Sequence, residues 1–587
     1  MPSYKAPVDD MAFLLNEVFD FDAEMAALPG YEEISAELAV SVLEEAGKFC
    51  TEVVQPLNLP ADIEGAKLVD GVVHVPKGFD EAYKAFAEAG WQGLSGDPEY
   101  GGQGLPRAVQ ILFDEMLSGA NLSFGLIPGL TRGASEAIHH HASDALKALY
   151  LPKMLSGEWS GAMALTESSA GTDLGLLKTR AVPNGDGTYA VSGSKIFISS
   201  GDHELVSNII HLVLARLPDA PAGVKGISLF LVPKFLPDAD GNPGQRNTFS
   251  VGALEHKMGI HAQPTCVMNY DGSTGWLVGE PHRGLAAMFT MMNAERLFVG
   301  IEGLGVADAA YQNAAAYAHD RLQGRSVDGK IPLASIVHHP DVRKMLLTIR
   351  GYTEAARALA LFTALEMDKS SHSTDAAVRA VADGRIALLT PVIKAAFTDF
   401  GFQSAVIGQQ VFGGHGYIRE WGMEQFVRDA RITQIYEGTN GVQAMDLVGR
   451  KLFMNNGALQ AEFFALVKAD LAAIAANPAA VEFTAPAAAA LARLEAATAL
   501  IVADAAGDPA ATGAAATDYL RFFALTAFAW MWARMADKAL KGDSVLHRNK
   551  LGVARFFMAR MLPETLGLEA ALKAGSATLM NFDTEAF

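Results

Sequence analysis

The sequence predicts an α+β fold in which one β domain is set between helical regions, and three features predict it. Apolar residues recur at three- and four-residue intervals over roughly residues 5–160, as in Phe79-Asp80-Glu81-Ala82-Tyr83-Lys84-Ala85-Phe86-Ala87, the spacing that gathers them on one helix face. Near Gly161 the pattern turns to short strand-like runs broken by Asn184-Gly185-Asp186-Gly187, a hairpin signature. From Leu285 helical spacing returns, and beyond Ala458 alanine-rich stretches are separated by Pro478, Pro486 and Pro509. A chain of 587 residues is too long for one core. The expected division is an N-terminal helical domain (1–160), a middle β domain (161–284), a C-terminal helical bundle (285–457) and an additional helical domain (458–587).

Composition narrows the function classes. A formal charge of −20 argues against a nucleic-acid partner, because phosphate binding needs a basic face. Cys50 and Cys266 form neither a disulfide framework nor a metal-ligand spacing and read as small buried apolar side chains in a reducing compartment. The first 22 residues carry Asp9, Asp10, Glu17, Asp20 and Asp22 without a basic-then-apolar pattern, so the expectation is a cytoplasmic protein. The apolar run Phe522 to Trp532 lies between Arg521 and Arg534 and is too short to span a bilayer.

Taken in order, Pro98-Glu99-Tyr100-Gly101-Gly102-Gln103-Gly104 interrupts the first helical region with a flexible loop. His139-His140-His141 reads as a solvated helix end, since consecutive helical side chains diverge and no carboxylate cluster accompanies them. No metal site is expected. In the β domain, Lys178 to Val182 and Thr188 to Val191 flank the hairpin turn, and Ile209 to Leu217 and Ile227 to Val232 add apolar strands. Gly300, Gly303 and Gly305 imitate a dinucleotide loop, but no strand precedes them and Asp308 takes the third glycine's place; they read as points where helices approach closely.

The stretch with the clearest chemistry is Gln434-Ile435-Tyr436-Glu437-Gly438-Thr439-Asn440. Ile435 and Tyr436 are expected to wall Glu437 from water, Gly438 to permit a sharp turn, and Thr439 or Asn440 to cap the following helix. Burial raises a carboxylate's pKa, which suits a general base. The same residues also describe a solvated loop beside a helix cap.

Context favours the base. Gln410-Val411-Phe412-Gly413-Gly414-His415-Gly416-Tyr417, then Arg428-Asp429-Ala430, then Ile435-Tyr436-Glu437-Gly438-Thr439 resemble, in this order, three motifs of the acyl-CoA dehydrogenase family. The resemblance runs from about residue 80 to about residue 450 and includes Pro98 to Gly104. It implies that Glu437 removes the α-proton of an acyl-CoA thioester while FAD takes the β-hydrogen as hydride, with Gly438 at the substrate and Thr439 at the cofactor. Ala164 to Asp173 resembles the family's ALTEPxAGSD segment, which implies flavin contacts from Met163, Leu165 and Thr166 and a phosphate or CoA contact from Thr172. Lys195 to Gly201 is similar to KxWITNG, with Phe197 and Ser199 beside the flavin ring. Asp320 to Arg325 resembles the segment whose arginine, here Arg321, reaches the FAD pyrophosphate of a neighbouring subunit, completed by Gln410, Gly413 and Gly414; Arg296 falls on the arginine that holds the nucleotide end of CoA.

The resemblance therefore implies an FAD enzyme that works as a homodimer or homotetramer and passes electrons to an electron-transfer flavoprotein. The opening Ala6 to Met11, Glu255 to Thr265 and the long C-terminal region look like the branch acting on 3-methylmercaptopropionyl-CoA in dimethylsulfoniopropionate demethylation. Dehydrogenases of medium or long fatty acyl-CoA, an oxidase or flavin monooxygenase of the same fold, and a flavin-free scaffold stay open. The C-terminal extension is expected to pack subunits together.

Overall fold

The computed structural model describes residues 2–587, which divide into two compact units. One comprises 50–105 and 120–298, and the other 2–49, 106–119 and 299–587. The boundary after Phe298 falls inside a single helix, Gly284–Asp320.

The first unit is built on a seven-stranded mixed sheet, formed by β3 (Trp159–Ala164), β4 (Arg180–Pro183), β5 (Tyr189–Ser199), β6 (Asn208–Arg216), β7 (Ile227–Pro233), β10 (Phe249–Leu254) and β11 (Thr265–Val278), while β8 (Phe235–Pro237) and β9 (Pro243–Arg246) form a separate two-stranded pair. β4 and β5 pair antiparallel across the Asn184 to Gly187 turn, as the sequence predicts. β6 and β7 are buried along nearly their whole length, which accounts for their unbroken apolar runs. Ile210, Leu212 and Leu214 join one core cluster with the Leu122–His141 helix, while Ile209, Val213 and Ala215 join another with Val191 and Ile198. That split is the period-two alternation of a strand covered on both faces.

The expectation of helix throughout residues 5–160 needs correction. β1 (Lys67–Val69) and β2 (Val72–His74) form a short hairpin, with Asp70 and Gly71 both at positive φ. Asp-Gly between two β-branched runs is a strong two-residue hairpin signal, masked by the helical spacing on either side.

In the second unit the long helices Pro340–His372 and Ala376–Val411 pack together with the end of the Gly284–Asp320 helix. A Cβ on Gly303 would lie 2.7 Å from the carbonyl oxygen of Phe397, so this glycine marks close helix contact. The Ala511–Ala539 helix is the core of the added region, buried from Phe522 to Ala533. Trp532 Nε1 donates to the Gly351 carbonyl at 3.0 Å, so the extension packs on the chain's own bundle. The helix Val481–Asp504 and its preceding turn are long and apolar enough to cross a membrane by composition; 39% of the most apolar window is buried. Its exposed face is largely alanine.

Near the N-terminus, Arg357 bridges Asp10 at 2.5 Å, Glu115 at 2.5 Å and Asp308 at 3.3 Å, while Lys550 pairs with Asp10 and with Glu354. Asp10 of the opening segment thereby joins a charge network that draws on four helices. Cys50 and Cys266 are buried and form no disulfide, as expected. Each of the three histidines has its own partner: His139 with Asp97, His140 with the Glu136 carbonyl and His141 with Thr290. No metal-binding cluster occurs among the described residues.

Candidate active site

The helix Met423–Thr433 ends where Ile435 and Tyr436 donate their N–H groups to the Ile432 carbonyl. The chain then turns through Glu437 at φ +54° and Gly438 at φ +82°. A glutamate in the left-handed region costs on the order of 1–3 kcal/mol and is retained where surrounding contacts impose it. Thr439 caps the Asn440–Gly449 helix, its hydroxyl accepting from Val442 N–H. Asn440 is therefore not the cap. Its side chain instead accepts from Lys394 Nζ at 2.9 Å and donates to the Ala395 carbonyl at 3.1 Å and to Asp399 at 2.7 Å. Gln434 donates to the same Asp399 carboxylate at 2.6 Å, and the Asn440 N–H closes the turn on the Gln434 carbonyl at 3.1 Å.

A third helix holds the turn from another side. The Tyr436 hydroxyl donates to Glu302 on the Gly284–Asp320 helix. Ile435 is 46% exposed and Glu437 half-buried, so the wall expected of Ile435 is not there. What the structure provides is a fixed turn.

In the β unit, the end of β3 and the middle of β5 come together. Met163 lies in β3, Leu165 and Thr166 follow it, and the Thr166 carbonyl accepts from Ile196 N–H at 2.9 Å. Buried Lys195 donates to the Leu165 carbonyl and to Glu167, each at 2.9 Å. Glu167 also accepts from Lys178 N–H, Thr179 N–H and the Thr179 hydroxyl. Burial acts to raise its pKa, but the Lys195 charge and these bonds hold it below the ordinary value. Phe197 stands at φ +62° with 59% of its surface exposed, an outward aromatic on a strained backbone. Ser199 pairs with Thr265 across β5 and β11. Thr172 sits apart, in an exposed bend.

The remaining predicted residues lie on helix ends. Gln410 closes the Ala376–Val411 helix and Gly413 opens the turn Gly413–Tyr417. Gly413 and Gly414 are exposed, and an added Cβ on either would meet open space. Tyr317 stacks on Phe412 at 4.1 Å, and its hydroxyl lies 2.8 Å from His415 Nδ1. This packs the helix end before exposed Arg321 against the glycine turn of the same chain. Arg296 is buried, its Nη1 3.5 Å from Asn293 and its guanidinium 5.9 Å from the Phe289 ring centroid.

Sequence reasoning missed Glu302 and Lys394, and overlooked that Lys195 and Glu167 pair. The signal for the first two was a lone charge inside an apolar run, Ile301-Glu302-Gly303-Leu304 and Val392-Ile393-Lys394-Ala395. Such residues are almost never fully buried unless paired.

Helices, a mixed sheet, a helical bundle and appended helices define an enzyme of the acyl-CoA dehydrogenase fold. The family descriptions match along the chain: "Acyl-CoA dehydrogenase, N-terminal domain" over 39–158, "middle domain" over 162–273, "C-terminal domain" over 282–452 and "Acetyl-CoA dehydrogenase C-terminal like" over 463–583. The chain belongs to the acyl-CoA dehydrogenase family. It is 43% identical to the 3-methylmercaptopropionyl-CoA dehydrogenase of Ruegeria pomeroyi, with 96% of each chain covered. It is 34% identical to a butyryl-CoA dehydrogenase of Syntrophomonas wolfei, covering 100% of this chain and 99% of that one. The Caenorhabditis elegans protein ACDH-11 in complex with C11-CoA shares the fold, with a TM-score of 0.79 at 20% identity over 99% of this chain and 96% of that one.

Proposed function

We propose that this acyl-CoA dehydrogenase is FAD-dependent and converts 3-methylmercaptopropionyl-CoA to methylthioacryloyl-CoA, a step of dimethylsulfoniopropionate demethylation. The observation that carries the reading is the strained Glu437 turn, pinned by three helices, in a chain so similar over its length to the Ruegeria pomeroyi enzyme. FAD, when bound, supplies the acceptor for the β-hydrogen.

The residues present fit that cofactor. Phe197 offers an exposed ring face for stacking, Thr166 a half-buried hydroxyl, and Gly413 and Gly414 exposed backbone with room for a phosphate. Arg321 is an exposed guanidinium suited to the pyrophosphate. Met163, Leu165, Thr172, Ser199, Gln410 and Thr439 complete the proposed contacts, with Arg296 and Gly438 toward CoA.

Glu437 takes the α-proton. The carbon acid is weak, so donors to the thioester oxygen, the Glu437 N–H among them, stabilise the developing enolate. The proposed working form is a homodimer or homotetramer that passes electrons to an electron-transfer flavoprotein, with proposed domains at 1–160, 161–284, 285–457 and 458–587. A thioether sulfur is close to a methylene in size and polarity, so butyryl-CoA is a competing substrate separated by about 1–3 kcal/mol.

Anaerobic bleaching of the flavin by a panel of esters tests cofactor, reaction and substrate together. The expected order of kcat/KM places 3-methylmercaptopropionyl-CoA at or above butyryl-CoA and both far above palmitoyl-CoA. Preference for palmitoyl-CoA, or no bleaching by the thioether ester, overturns the substrate assignment.

A further inference from the structure

Glu302 is fully buried in the Gly284–Asp320 helix, within Phe298-Val299-Gly300-Ile301-Glu302-Gly303-Leu304. A carboxylate in such surroundings is costly. Its Oε2 accepts the Tyr436 hydroxyl, and its Oε1 has no hydrogen-bond partner among the described residues. The charged and titratable groups around it are Asp114 from the Arg107–Ala120 helix, Lys394 from the Ala376–Val411 helix, and Tyr436 and Glu437 from the turn. Burial first, then the Glu437 and Asp114 charges, push the Glu302 carboxyl up to about 8 against the Tyr436 bond and Lys394.

We infer that Glu302 is a positioning residue for the base: by accepting the Tyr436 hydroxyl it fixes the residue before Glu437 and sets the left-handed turn that aims the Glu437 carboxylate. The inference rests on Glu437 being the base. Tyr436 and Glu437 share a peptide unit, and Glu437 already stands at φ +54°, so freeing the tyrosine ring lets the turn relax and the carboxylate drift. A displacement of about 1 Å at a reacting group is worth about a hundredfold in rate.

The charge state of Glu302 adds a second readout. At neutral pH it is protonated and leaves Glu437 as the sole charge of the pair. Its ionisation above about pH 8 places a like charge near Glu437. Proton abstraction then moves negative charge away from Glu302. The rate of flavin bleaching by acyl-CoA is therefore expected to step upward as pH rises through about 8.

The experiment uses the FAD-loaded enzyme, anaerobic bleaching by butyryl-CoA, and the variants Glu302→Gln, Glu302→Leu, Tyr436→Phe and the Leu/Phe double variant. Glutamine still accepts the hydroxyl, so Glu302→Gln is expected to bleach within about threefold of the native rate at pH 7 and to lack the upward step. Glu302→Leu and Tyr436→Phe are each expected to lose about ten- to a hundredfold in bleaching rate, with KM within about threefold, and the double variant to lose no more than the worse single, as one shared contact demands. Native rates in either single variant, or losses that multiply, overturn the inference. If leucine at 302 prevents folding, Tyr436→Phe decides alone, because it deletes only the hydroxyl. Loss of activity in Glu437→Gln with full activity in Tyr436→Phe removes the positioning role and leaves the base; full activity in Glu437→Gln removes the base itself.

Discussion

Glu167 in the β unit and Glu302 in the helical unit are both buried carboxylates beside residues assigned to the chemistry, yet they settle in opposite charge states. Glu167 meets a buried lysine at 2.9 Å and three further donors, and stays ionised in spite of its burial. Glu302 accepts one phenol and feels the Lys394 charge without a bond to it, faces two carboxylates, and is pushed up to about 8 chiefly by burial. Burial alone does not set a carboxylate's charge; the number of donors aimed at it does. The first group serves as a rigid anionic post for backbone, and the second as a neutral latch.

The largest effect that sharpens this contrast falls next to the latch. Glu437→Gln keeps size and hydrogen bonding and removes the proposed base, so a loss of about 10²–10⁴-fold in turnover is expected with the proposed FAD retained. Stopped-flow flavin reduction on the purified variant measures it, and near-native turnover sinks the assignment.

The next effect breaks the post. Lys195→Met leaves Glu167 buried without its cation, and removing one partner of a buried pair costs about 3–5 kcal/mol. Denaturant unfolding is expected to show that loss together with weaker FAD retention, because the Lys195 bond to the Leu165 carbonyl goes too. Replacing both partners, Lys195→Met with Glu167→Leu, is expected to recover part of the stability. No recovery would mean that the Glu167 bonds to Lys178 and Thr179, rather than the ion pair, hold this corner.

How far the sequence revealed these groups follows from what each signal contains. Continuous apolar runs located β6 and β7, and the Asn184 to Gly187 turn located the β4–β5 hairpin, because turn chemistry and strand periodicity are local. The β1–β2 hairpin was missed although Asp70-Gly71 announces it, since two three-residue strands are too short to show a period. The motif around Glu437 was legible. Its support was not: Lys394, Asp399 and Glu302 lie 35 to 134 residues from their partners in the turn, and only helix packing brings them there. Thr439 was one of two candidate caps, and Asn440 turned out to serve the Ala376–Val411 helix instead.

The smallest predicted effect fills the middle of the series. Asp368 is buried and accepts two backbone N–H groups, Arg107 at 2.7 Å and Ala108 at 3.1 Å. Burial raises it to about 7 against those bonds and the Arg107 charge, between the cases of Glu167 and Glu302. A carboxyl whose pKa is raised on folding binds its proton more tightly in the folded chain. Between the unfolded value and about 7 the unfolded chain is ionised and the folded one protonated, so stability falls with rising pH by about 1.4 kcal/mol per unit per group, and the loss levels off above about 7. Glu302 extends the slope to about 8. Asp10 acts in the other sense: Lys550 and Arg357 outweigh its burial and hold it at about 2, so its contribution is present above its unfolded value of 3.8 and is lost as pH falls through 2. For Asp368 and Glu302 the sign is a melting temperature that rises as pH is lowered from 8 toward 6.5; below that, burial holds His203 and His211 at about 4, and protonation of their unfolded imidazoles opposes the rise. Asp368→Asn mimics the protonated acid but does not ionise on unfolding, so it should melt above the native protein at both pH values, with a gap at pH 8.5 about twice that at pH 5.5. An equal difference at both pH values would show that Asp368 is ionised throughout, held by its two backbone donors as firmly as Glu167 is held by its lysine.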